Sequence, residues 1–86
     1  MVIDEDELIE AVRVMNMVGK PARADTVRIE LGPFADDGGY WDVNVVANDL
    51  AELESLGKLE RAAAFEWEGV GTPPKALIAY TVPDGQ

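Results

Sequence analysis

Cysteine and histidine are both missing from this chain of 86 residues. Their absence excludes disulfides, thiolate chemistry, most zinc sites and the commonest general base in enzymes. The remaining residues offer no nucleophile–base pair and no constellation of metal ligands. We therefore expect a protein that is not an enzyme and that uses no cofactor or metal.

Basic residues are scarce. Lys and Arg number 7 against 17 Asp and Glu, for a net charge of −10. Such a chain is normally repelled by nucleic acid, because Lys and Arg supply much of the affinity by displacing counterions. Few lysines with abundant Asp, Glu, Ala and Val resemble the proteins of halophilic archaea and their viruses, in whose salt the Debye length falls to about 3 Å. The alternative is a merely acidic protein of an ordinary cytosol.

Long apolar runs are also absent. No run approaches the roughly 18 residues that a membrane span needs, and the opening "MVIDEDELIE" is acidic where a signal peptide would be basic. We expect a cytoplasmic protein with no membrane contact, folded as a single domain over residues 1–86. A domain of this size has a small core and would gain stability from a partner.

Hydrophobic periodicity predicts three helices followed by two strands, an α+β order. The first helix is predicted at residues 6–18, the second at 23–31, and the third from a cap at Asp42 to a stop at Gly57. Residues 58–68 and 75–82 are then predicted to pair as a β-hairpin. The expected architecture is a three-helix bundle with a C-terminal two-stranded hairpin.

The third helix raises the question of what it could recognise, because residues 40–57 contain four acids and no Lys or Arg. The four acids are Asp42, Asp49, Glu52 and Glu54. The stripe predicted to face the core is Val43, Val46, Ala47, Leu50, Leu53 and Leu56. The residues predicted to face outward are Trp41, Asn44, Val45, Asn48 and Glu52.

A resemblance to winged-helix (winged helix-turn-helix) transcription regulators rests on "LAELESLGKLER" at residues 50–61 and "TPPKALIAYTVPDG" at 72–85. These stretches resemble the end of the recognition helix and the two wing strands. The family pattern is Leu-x-x-Leu-Gly, then an apolar residue, then Glu-Arg, and it is met by Leu53, Leu56, Gly57, Leu59, Glu60 and Arg61. The resemblance implies a winged helix that binds double-stranded DNA in a sequence-specific way, with the third helix in the major groove.

The outward residues of the third helix are the candidate base contacts. An Asn amide can pair in bidentate fashion with adenine, as Asn44 and Asn48 would, and Val45 could meet a thymine methyl group, with Trp41 beside them. The candidate phosphate contacts flank this helix and are Lys20, Arg23, Arg28, Lys58, Arg61 and Lys75. The alternative is that the Asn residues are ordinary surface residues and that the cations pair with nearby acids, namely Asp25, Glu30 and Glu60.

Four aromatic residues favour packing over stacking on nucleic acid: Trp41, Phe65, Trp67 and Tyr80. Ile9, Met17 and Ile29 fall off the inner stripes of the first two helices and leave apolar surface to cover, which predicts a homodimer through the first helix or the chain ends. Two functions remain open. One is a DNA-binding regulator from a high-salt cytosol. The other is an acidic protein–protein interaction module, whose extreme form mimics DNA.

Overall fold

The computed structural model describes residues 1–33, 38–66, 69–71 and 75–83, with the backbone alone at 63–66 and 75–77. Its elements, in chain order, are α1 (Glu5–Met17), α2 (Ala24–Leu31), α3 (Val43–Ser55), β1 (Glu60–Glu66) and β2 (Lys75–Thr81). The predicted α+β order of three helices and an antiparallel two-stranded sheet is confirmed. Within the described ranges, no helix has the length and apolar character needed to cross a bilayer.

Acidic residues cap the two longest helices at their N-termini. The Asp4 carboxylate accepts the Glu7 backbone N–H at 3.1 Å, and the Asp42 carboxylate accepts the Asn44 N–H at 2.8 Å. Each bond satisfies an N–H group that the helix itself leaves unpaired, and the negative charge complements the helix dipole. The prediction that Asp42 caps the third helix is confirmed.

A glycine ends α3 and redirects the chain. Gly57 adopts a φ of 78°, and the Lys58 N–H donates to the Leu53 carbonyl at 2.9 Å, as in a Schellman motif. The reversal carries Leu59 into the core, where it is 2% exposed. Leu56 precedes the turn and is left 60% exposed, so its predicted core position is wrong.

The core lies between the three helices and the base of the hairpin. Its buried cluster consists of Ile3, Leu8, Ala11, Val12, Met15, Ala22, Val27, Val46, Leu50, Leu53, Leu59 and Tyr80. Val43, in the first turn of α3, is 41% exposed, so its predicted core position is also wrong. The buried stripe of α3 is therefore shorter than predicted, because it runs only from Val46 to Leu53.

The sheet is joined to the helices along β2. β1 and β2 run antiparallel with Arg61 opposite Tyr80. The Tyr80 N–H donates to the Ala22 carbonyl at 3.0 Å, which adds a single bridge from the segment between α1 and α2. The Asn16 side chain, near the end of α1, donates to the Tyr80 carbonyl at 3.2 Å and accepts the Val82 N–H at 3.0 Å. One amide side chain thus pairs with β2 as a neighbouring strand would.

We expect Asn16→Ala to lower the free energy of unfolding by about 1–3 kcal/mol, because it leaves two partly buried backbone groups without their partner. Urea denaturation in concentrated salt measures the change. Asn44→Ala is the matched control, since Asn44 is exposed and its side chain bonds nothing within the described residues. The control should shift stability by less than about 0.5 kcal/mol. Equal losses in the two variants would contradict the role assigned to Asn16.

Candidate nucleic-acid interface

The outer face of α3 carries two amide side chains one turn apart. Asn44 and Asn48 are both exposed, as predicted, and their i, i+4 spacing puts them on one face of the helix. Ala51 and Ser55 continue the same face and are also exposed. Glu52, four residues beyond Asn48, also lies on this face and is exposed, so the face combines two neutral amides with one carboxylate.

The acids of α3 and its cap are held by other groups of the chain. Asp42 caps the helix, and Glu54 lies 3.0 Å from the Arg61 guanidinium. Glu52, exposed as predicted, lies 3.2 Å from the amino group of Met1. The outer face of α3 consequently presents less free negative charge than the residue count of the helix suggests.

Asp49 departs most from expectation. It is one of the four acids that raise the question of what the third helix recognises, but it is only 5% exposed. Its Oδ2 atom accepts the N–H groups of Val2 at 3.0 Å and Ile3 at 2.7 Å. The helical spacing contains the signal for this burial, because residue 49 follows Val46 by three positions and precedes Leu53 by four.

Three of the six flanking cations form ion pairs with acids of the described residues. The three pairs are Lys58 with Glu5 at 2.7 Å, Arg23 with Asp25 at 3.3 Å, and Arg61 with Glu54 at 3.0 Å. The first pair joins α1 to the turn after α3, and the third joins β1 to α3. Exposed pairs contribute about 0–1 kcal/mol and weaken in salt. Lys58 and Arg61, with side chains 42% and 57% exposed, could therefore exchange their carboxylates for other anions at small cost, whereas the Arg23 side chain is only 21% exposed.

The alternative to phosphate contact is pairing of the cations with nearby acids, and the structure shows one of the predicted pairs. Arg23 pairs with the predicted Asp25. The partners of Lys58 and Arg61 come from α1 and α3 and were not predicted. Lys20 is exposed after the end of α1, and Lys75 begins β2 opposite Glu66 in the register.

Arg28 holds the segment that leads into α3. Its Nε–H donates to the Trp41 carbonyl at 2.7 Å, and its guanidinium lies 5.3 Å from the centroid of the Tyr40 ring. A cleft of about 450 Å³ opens beside this contact and is also lined by Asp25 and Val43. Arg28 thus joins α2 to the segment that precedes α3. The sequence predicts a phosphate contact for Arg28 and gives no sign of this structural role.

Two residues predicted to face outward are instead partly buried. Trp41 and Val45 both pack against the core, so their predicted outward position is wrong. Trp41 precedes α3, where the Arg28 bond to its carbonyl ties it to α2. Val45 lies next to the buried Val46 on the helix. Of the five residues predicted to face outward, Asn44, Asn48 and Glu52 are exposed.

Tyr80 belongs to the core, as predicted. Burial raises the pKa of its phenol above the ordinary value, the charge of Glu54 raises it further, and Arg61 lowers it. The group is therefore neutral at physiological pH. Phe65 lies in β1, where the structure describes the backbone, and the packing predicted for Trp67 lies outside the described residues.

Comparisons of this chain with protein-family models, with curated proteins and with solved structures found no match. Within residues 1–33, 38–66, 69–71 and 75–83, no group of three or more acidic side chains is arranged to hold a metal ion. What the chain binds must therefore be argued from the chemistry of α3 and the side chains around it.

Proposed function

We propose that this chain is a winged-helix transcriptional regulator adapted to high salt, which binds double-stranded DNA through the outer face of α3. The observation that carries the proposal is the pair of exposed neutral amides, Asn44 and Asn48. Beside them Asp49 is buried, Glu52 and Glu54 are paired, and Asp42 caps the helix. The order of three helices and a hairpin is compatible with a winged-helix layout.

The spacing of the two amides suits a base-pair step. Residues four apart on a helix are about 6 Å apart along its axis. Base pairs rise by about 3.4 Å, so Asn44 and Asn48 would address base pairs one or two steps apart. Each amide can form two hydrogen bonds with an adenine edge in the major groove, and neither needs a positive charge to do so.

Phosphate contacts would come from the cations around α3. Arg23 lies at the start of α2, and Lys58 and Arg61 follow the end of α3. Each would exchange a carboxylate for a phosphate oxygen on binding. Contacts of this kind position the helix without specifying sequence, and the Asn residues would then specify it.

The test is a selection of random duplex DNA by the folded protein in about 1 M salt, followed by titration of the selected site and its single-base variants. We expect Asn48→Ala to lose about 1–3 kcal/mol of discrimination at one base pair while retaining affinity for other positions. Ser55→Ala is the control, because it shortens an exposed side chain on the same face two turns further along.

Two results would contradict the proposal. One is a site preference that is unchanged in Asn48→Ala and in Asn44→Ala. The other is an absence of DNA binding by protein that circular dichroism shows to be folded under the same conditions. The second result would favour a role as a protein-interaction module.

A protein-interaction module is the second candidate, and one observation favours it. Lys58, Arg23 and Arg61 are already paired with acids, and the chain carries a net charge of −10. An acidic surface of this kind would complement a basic protein, and its extreme form would be a DNA mimic. Binding of a basic protein, measured with and without competing DNA, would separate this role from DNA binding.

A homodimer is also part of the proposal. Met17 is 80% exposed and Ile29 is 58% exposed, which supports an apolar contact through the first two helices. Ile9 was predicted to join them but packs partly buried against the core, so that prediction is wrong. We expect light scattering at micromolar concentration in high salt to give twice the mass of the chain, and Met17→Asp to give the monomer mass. A monomeric wild type would refute the dimer.

A further inference from the structure

The segment 1–3 is hydrogen-bonded to Asp49, which lies near the middle of α3. One oxygen of Asp49 accepts two consecutive backbone N–H groups, from Val2 at 3.0 Å and from Ile3 at 2.7 Å. The Ile3 side chain enters the core and is 3% exposed, and the next residue, Asp4, caps α1. The segment therefore links α3 directly to the start of α1.

A buried carboxylate requires this kind of arrangement. Removing a charged group from water is costly unless hydrogen bonds replace its hydration. Bonds from neutral N–H groups to a carboxylate are stronger than those to a neutral acceptor. At 5% exposure, Asp49 depends on its two donors, and the donors depend on it.

The contact also fixes the rotation of α3 about its own axis. Successive residues of an α-helix are about 100° apart, so Asp49 and Asn48 are rigidly related. A rotation that withdrew Asp49 from Val2 and Ile3 would turn Asn48 through the same angle. The orientation of the exposed amides is thus coupled to a buried hydrogen bond on another side of the helix.

We propose that Asp49 is a positioning residue, which clamps the segment 1–3 to α3 and thereby sets the angle at which Asn44 and Asn48 face DNA. The clamp is independent of what α3 binds, whereas its effect on DNA rests on the proposed function. Asp49 touches no DNA itself and acts through the orientation of the helix.

One ion pair joins residues 1–3 to α3 and another joins α1 to the turn after α3, and salt weakens both. Glu52 lies 3.2 Å from the Met1 amino group and its side chain is 49% exposed. Lys58 and Glu5 lie 2.7 Å apart with side chains 42% and 37% exposed. Near 1 M salt the Debye length is about 3 Å, which screens exposed pairs far more than buried ones. The Asp49 clamp is therefore the tie that persists in concentrated salt.

The first measurement is amide hydrogen exchange with backbone chemical shifts in about 1 M salt, on Asp49→Asn and Glu52→Gln. The two variants remove the same charge from the same helix. In Asp49→Asn we expect the Ile3 amide to exchange about 10- to 100-fold faster, because two charge-assisted bonds become neutral ones. We also expect the Asn44 and Asn48 amide shifts to move. Glu52→Gln should leave all three amides as in the wild type.

The second pair of variants removes a donor rather than the acceptor. Val2→Pro lacks the backbone N–H at residue 2, whereas Val2→Ala keeps it and shortens a side chain that is 65% exposed. Val2→Pro should shift the Asn44 and Asn48 amides in the same direction as Asp49→Asn, and Val2→Ala should not. This pair serves if Asp49→Asn does not fold.

DNA titration then separates positioning from mere stability, because it compares folded variants only. Asp49→Asn and Glu52→Gln should gain similar non-specific affinity from the lost charge, but Asp49→Asn alone should lose about tenfold or more in preference for the selected site. Unchanged Ile3 exchange and unchanged Asn44 and Asn48 shifts in Asp49→Asn would overturn the clamp. Faster Ile3 exchange with unchanged Asn44 and Asn48 shifts and an unchanged preference for the selected site would overturn the positioning role of Asp49. If the wild type binds no DNA, the proposed function fails, and the shifts of both variant pairs decide the clamp.

Discussion

Specific DNA binding by this chain is expected to be weak at about 0.1 M salt and to be retained or strengthened near 1 M, where the Debye length is about 3 Å. At low salt the excess of ten acidic charges opposes the approach to a polyanion. Screening removes that repulsion, while hydrogen bonds from Asn44 and Asn48 to base edges carry no net charge and lose little.

Ordinary DNA-binding proteins behave in the opposite way. Each phosphate that they neutralise contributes a slope of about −0.9 to log affinity against log salt, and proteins with 6–10 such contacts lose about 10³–10⁵ in affinity between 50 and 200 mM salt. Here Lys58, Arg23 and Arg61 begin in ion pairs with carboxylates. Each proposed contact with phosphate would release a carboxylate as well as a counterion, and the freed carboxylate would attract cations again. The net release of ions is therefore small, and the slope should be shallow.

Titration of the selected DNA site at 0.1 M and 1 M salt checks this expectation, with folding measured separately at each concentration. Glu54→Gln is the informative variant, because it frees Arg61 from its partner at 3.0 Å. We expect it to raise affinity at 0.1 M salt and to make the loss of affinity with salt steeper by a slope of about 0.9. Glu10→Gln, which removes the same charge from α1, should change the slope little. A wild type that loses affinity steeply with rising salt would contradict the mechanism.

The elements of this fold could be predicted because their signals are local. The caps at Asp4 and Asp42 and the glycine at 57 lie within a few residues of the groups that they bond. The partners of the acids could not be predicted in the same way. Asp49 bonds residues 2 and 3, and Lys58 pairs with Glu5, so each contact spans more than forty positions and exists only after the helices have packed.

The sequence predicts the exposed residues of the candidate site correctly only in part, because helical spacing fixes one of the two coordinates that decide burial. Helical spacing gives the angle of a side chain about the axis, and it places Asn44 and Asn48 outward correctly. It does not say where along the axis the neighbouring helices end. Val43 and Leu56 share the angle of the buried stripe but lie at the ends of α3, and both are exposed.

The largest stability effect that we expect is at Leu50, which lies in the middle of the buried stripe of α3 and is 0% exposed. Leu50→Ala should lower the free energy of unfolding by about 2–5 kcal/mol, because the lost transfer energy adds to the cost of the cavity. Leu56→Ala makes the same chemical change less than two turns away, at a side chain that is 60% exposed. It should cost less than about 1 kcal/mol, since little apolar surface returns to water.

For a domain whose total stability is of the order of 5–15 kcal/mol, the loss at Leu50 is a large fraction. Each kcal/mol shifts the melting temperature of a domain of this size by about 4–8 °C, so Leu50→Ala should melt at least about 8 °C below the wild type. Thermal and urea denaturation in the same concentrated salt measure both variants against the wild type. Losses of equal size would mean that Leu56 is covered in solution, for instance by a second copy of the chain. In that case dilution should restore the difference between the two variants, because a dimer contact weakens with dilution and a core contact does not.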